Sequence, residues 1–96
     1  MSATDADVRA FALAAIATRA SASSSPRAKK AVVVSTGDLR RHDIRERLAA
    51  RLGVEWSLAR LTEVLEVLVA RGAMRATGTG GYRVGSWERM AEVVTA

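Results

Sequence analysis

The sequence predicts an α+β domain that is mainly α: a helix, a short strand, two helices about a tight turn, a β-hairpin and an added C-terminal helix. Three observations carry the prediction. Apolar residues recur at helical spacing in four separate stretches. A β-branched run, AVVVS, stands between the first two. Residues 73–84 alternate on either side of a Gly-rich turn. A chain of 96 residues fits a single domain.

The first helix is expected over 4–19. Thr4 is suited to the N-cap, with Asp7 three residues on to close a capping box. Val8, Phe11, Ala12, Ala15 and Ile16 then share one face. Residues 20–30, ASASSSPRAKK, contain no periodic apolar pattern and are expected to be a mobile basic connector. AVVVS, 31–35, is the strand candidate, and Gly37 and Asp38 then turn the chain, with Leu39 tucked toward the core. Asp43 is expected to cap the second helix, with Glu46 closing a second box. Ile44, Leu48 and Leu52 form its stripe and Gly53 its stop.

Val54 to Trp56 make a tight connection and Ser57 caps the next helix, whose stripe is Leu58, Leu61, Leu65, Leu68 and Val69, ending at Gly72. Ser86 caps a last amphipathic helix with Trp87, Met90, Ala91 and Val94 on one side.

Composition narrows the chemistry. There is no Cys, one His, and no grouping of residues with metal-ligand or nucleophile–base spacing, so no catalytic residue, metal or cofactor is expected. No apolar run suffices to span a membrane and the first residues are acidic, so a soluble, cytoplasmic protein is expected. Charge is concentrated: residues 19–51 hold nine Lys/Arg against Asp38, Asp43 and Glu46, the footprint of a polyanion partner.

Three readings of the cluster TGTGG, 77–81, compete: a Walker-type phosphate loop, a dinucleotide fingerprint and a hairpin turn. A phosphate-binding loop needs a Lys-Ser or Lys-Thr and a helix after its last Gly, or a strand before and a helix after. Tyr-Arg-Val follows instead, so the cluster is expected to be the tip of a hairpin with strands 73–77 and 82–84.

Residues 43–84 resemble a winged helix-turn-helix domain of the prokaryotic kind. The resemblance lies in Ile44-x-x-x-Leu48, in Leu52-Gly53-Val54, in Leu61 with Leu65-x-x-Leu68-Val69-x-x-Gly72, and in Gly-Gly-Tyr-x-Val after an arginine-bearing strand. It implies a protein that binds double-stranded DNA without catalysis, with the helix over 57–71 in the major groove and the hairpin on the backbone or minor groove. On that helix it assigns Ser57, Ala59, Arg60, Thr62 and Glu63 to the DNA. Arg60 would meet guanine or a phosphate and Glu63 a cytosine. On the wing it assigns Arg75, Thr77, Thr79 and Arg83, with Lys29, Lys30, Arg40, Arg41 and Arg45 along the backbone.

Other roles stand beside these. Arg60 and Glu63 are three apart and suit an ion pair; Tyr82 suits packing under the wing; Trp56 and Trp87 suit the core. The helix over 57–71 carries Arg60 and Arg71 against Glu63 and Glu66 and is neutral, which keeps open a protein-interaction adaptor as the alternative. A homodimer is a further expectation, through Trp87, Met90 and Val94 or the Ala-rich first helix.

Overall fold

The computed structural model describes residues 3–22, 32–53 and 55–95. The elements are α1 (Asp5–Ala22), β1 (Leu39–Arg40), α2 (Arg41–Leu52), α3 (Leu58–Ala70), β2 (Met74–Ala76), β3 (Gly81–Val84) and α4 (Trp87–Thr95). The fold is mainly helical, with one small antiparallel sheet of strand order β1-β3-β2. The basic connector falls on residues whose greater part, with Lys29 and Lys30, lies outside those described. Its first three residues continue α1.

α1 starts where the sequence places it. Thr4 Oγ1 accepts from the Asp7 amide at 3.1 Å and Asp7 Oδ2 accepts from the Thr4 amide at 3.2 Å, a complete capping box. Its apolar face packs on α4, α3 and α2. Phe11 is fully buried, as are Ile44 and Leu48 of α2, Leu61, Leu65 and Leu68 of α3, Met74 of β2 and Met90 of α4. Each such side chain contributes about 1.5–3 kcal/mol on leaving water. That shared core holds the helices against the sheet.

Two expected elements are corrected. Residues 32–35 belong to no strand, and the chain bends at Val33. Val32, Val33 and Val34 are all buried, so the run enters the core as a whole and does not alternate across a pleat. Side chains satisfy its backbone: Thr18 Oγ1 accepts from the Val33 amide at 3.2 Å, and Arg47 Nη1 donates to the Val32 carbonyl at 3.0 Å. Only Ser35, whose carbonyl accepts from the Val84 amide at 2.8 Å, continues the ladder. The Ser35 hydroxyl also accepts from the Gly37 amide, bending the chain before β1 begins.

The second correction concerns α2, which is not capped by Asp43. It begins at Arg41, with Arg40 as an N-cap in extended conformation and no side-chain cap bond. Arg40 is still paired with Gly81 in the sheet, so strand passes directly into helix, and Asp43 falls within the first turn. There its charge suits the helix N-terminus.

The remaining capping signals act as expected, while the stripes differ in detail, Leu52 of α2 being exposed. Gly53 ends α2 at φ 73° and Gly72 follows α3 at φ 81°. Ser57 Oγ accepts from the Arg60 amide at 3.1 Å and Ser86 Oγ from the Arg89 amide at 3.2 Å. On α3 the buried stripe includes Val64, whereas Leu58 is exposed. On α4 the buried pair is Met90 and Val93, with Ala91 facing solvent.

Candidate nucleic-acid interface

The hairpin is held by a three-residue turn between Thr77 and Gly81. The Thr77 amide donates to the Gly81 carbonyl at 2.9 Å, and Gly80 takes the left-handed conformation at φ 84°. Gly81 has a separate role. A Cβ there would lie 1.9 Å from Asp38 Oδ1, because the Asp38 side chain rests over this position. Asp38 in turn accepts from Thr77 Oγ1 and Thr79 Oγ1, both at 3.1 Å. The two wing threonines thus tie the hairpin tip to the residue before β1. Gly81 lies opposite Arg40, so the Asp38 carboxylate over it stands on the same face of the sheet as Arg40.

The charge lies on the face of the sheet. The register pairs Arg75 with Arg83, Arg40 with Gly81, and Met74 with Val84. Side chains alternate along a strand, so Met74, Val84, Tyr82 and Leu39 point to the core side and Arg40, Arg75 and Arg83 point outward. Burial follows that division: Met74 and Val84 are buried, the three arginines exposed. Among the described residues these three guanidiniums make no ion pair. Two arginines directly opposite on neighbouring strands repel each other. An anion laid on the face relieves that repulsion.

The N-terminal half of α3 is arranged differently. Arg60 donates through Nε to Asp7 Oδ2 at 3.0 Å and through Nη2 to Asp7 Oδ1, a two-pronged bond to α1. Its guanidinium also lies over the Trp56 ring, 4.9 Å from the centroid. The Arg60 bond holds the Asp7 carboxyl below the usual carboxylate range. Burial pushes it the other way, and the Thr4 amide and hydroxyl add to the lowering. Glu63 Oε2 accepts from the Ala3 amide at 2.6 Å, so Arg60 and Glu63 each bond to the start of the chain and not to one another. Thr62 Oγ1 accepts from Arg41 Nη1 at 3.0 Å and donates to the Leu58 carbonyl at 2.7 Å. Ala59 is exposed and offers no polar group.

Among the other expected contacts, Arg45 is half-buried on α2. Lys29 and Lys30 lie outside the described residues. Of the expected dimer residues, Met90 is fully buried in the chain's own core, which takes it away from any interface between copies. Trp87 and Val94 are half-buried against the same core, and Arg19 covers the Trp87 ring at 4.5 Å. Asp7 and Asp38, which fix the start of α3 and the hairpin tip, were not among the expected site residues. Their partners are 53, 39 and 41 positions away, beyond any local pattern.

No protein-family model matches the chain, and no curated protein or solved structure matches it either.

Proposed function

We propose that the chain is a non-catalytic DNA-binding protein, a small transcriptional regulator or accessory architectural factor, built on a winged helix-turn-helix plan. In that plan α3 faces the major groove and the β2–β3 hairpin lies on the backbone or minor groove. The order of elements supports the plan: α2, a short turn and α3, then a hairpin whose β3 pairs with a strand that precedes α2. The observation that carries the proposal is the outward face of the sheet, where Arg40, Arg75 and Arg83 stand together with no ion pair among the described residues. Arginine on a strand suits phosphate oxygens, and the three on this face outnumber the Asp38 carboxylate that shares it.

A titration of the protein against random duplex DNA at several salt concentrations tests the proposal. The expected result is an affinity whose logarithm falls linearly with log salt, by about 0.9 per phosphate neutralised. Absence of duplex binding at low salt would reject it. A parallel titration with single-stranded DNA should show weaker binding.

One observation favours a second reading, a protein-docking adaptor. Leu13 of α1 is 55% exposed and Leu52 of α2 is 36% exposed, and both line one shallow cleft with Ala10 and Ala17. A protein partner that survives nuclease digestion and is lost in Leu13→Asp would support the adaptor over DNA.

A further inference from the structure

We infer that the duplex is bound without regard to its base sequence, the outer face of the sheet supplying the contacts and α3 supplying no free reader of bases. The inference rests on the DNA-binding reading and says what kind of DNA that site takes.

Direct readout needs side chains that can meet a base edge with two hydrogen bonds or one strong one. Arg, Lys, Asn, Gln, Glu and Asp serve best. Over 57–63 only Arg60 and Glu63 are of that kind. Arg60 already uses one full edge of its guanidinium, Nε and Nη2, on Asp7. That edge is one of the two that could grip guanine, and its hold on Asp7 fixes how far the other, Nη1 with Nη2, can reach. One flat face of the group lies on Trp56. Withdrawing Arg60 would leave the Asp7 carboxylate, whose side chain is only 12% exposed, without its cation, a costly state for a largely buried charge.

Glu63 is held by the Ala3 amide, and Thr62 has both its donor and an acceptor position filled by Leu58 and Arg41. Exposed toward the start of α3 are Ser57, Leu58, Ala59 and Arg60, and of these Arg60 is anchored to Asp7. Three linkages therefore fix the polar groups of α3 to α1, to Ala3 before it and to α2, whereas the sheet arginines have no such partner among the described residues. Phosphate contacts position a protein on DNA and carry no sequence information.

The test is selection from a random duplex pool with the full chain, followed by affinities for several unrelated duplexes of equal length. No consensus should emerge, and affinities should agree within about threefold, against the 10³-fold or more that separates specific from non-specific sites. Replacing Arg40, Arg75 and Arg83 by Ala, singly, should lower the salt slope by about 0.9 each, and together should abolish binding while circular dichroism shows an unchanged fold. An enriched consensus would overturn the inference and leave DNA binding intact. Sequence-blind binding that survives the triple variant would overturn the assignment to the sheet. Failure of wild-type protein to bind any duplex at low salt would reject the functional reading itself, and the inference with it.

Discussion

Two carboxylates fix residues that the sequence suggests for DNA. Asp7 serves both the capping box of α1 and the Arg60 fork of α3, tying together groups 53 positions apart. Its folded pKa is lowered, so its contribution to stability is complete above the ordinary carboxylate value of about 4 and is lost as pH falls through the lower folded value. Asp7→Asn should lower the melting temperature at neutral pH and flatten the loss of stability below pH ~4; an unchanged acid limb in thermal melts would contradict this. Asp38 is the second anchor. Gly81→Ala should displace its carboxylate and cost on the order of 1 kcal/mol in denaturant unfolding, and the cost should largely vanish in an Asp38→Ala background. The capping box was legible because Thr4 and Asp7 lie in one turn. The Asp7–Arg60 and Asp38–Thr77 bonds were not, because each joins elements that meet only after the chain folds.

The helices were legible in the sequence at the element scale, since stripes such as Leu61, Leu65 and Leu68 repeat every three or four residues and bury together. Caps written by Ser57, Ser86 and Gly53 also act locally and lie where expected. Ser57→Ala should therefore destabilise the protein by about 0.5–2 kcal/mol in urea unfolding, through the loss of one α3 cap bond. The strand was misjudged because burial and pairing leave the same β-branched signature. Val32 to Val34 fill the core while the ladder passes to Leu39–Arg40, an unremarkable pair of residues chosen by their position opposite Tyr82 and Gly81. The hairpin sets two like charges opposite each other, Arg75 and Arg83, at a cost to its own stability. Arg83→Thr should raise the melting temperature slightly, by removing the like-charge pair with Arg75, while weakening DNA binding.

At the scale of the molecule, four helices and three short strands share one core in which Phe11 is the only fully buried aromatic among the described residues. α4 completes it: Met90 and Val93 are buried, and the helix packs along α1. A chain ended after Gly85 should lose cooperative unfolding, whereas a surface extension should not; a sharp thermal transition in the shortened chain would contradict that role. No helix among the described residues is long and apolar enough to cross a membrane. The concentration of positive charge was legible as a stretch of sequence, but its site was not. Arg19 lies over Trp87, Arg47 bonds the Val32 carbonyl, Arg41 bonds Thr62, and only pairing in the sheet brings Arg40 onto one face with Arg75 and Arg83. Titrating the isotope-labelled protein with a short duplex and following its backbone amides by NMR asks whether this face meets duplex DNA. The predicted result is shifts concentrated on β1, β2 and β3 that fade as salt is raised. Shifts confined to Leu13 and Leu52, or none at low salt, would contradict it.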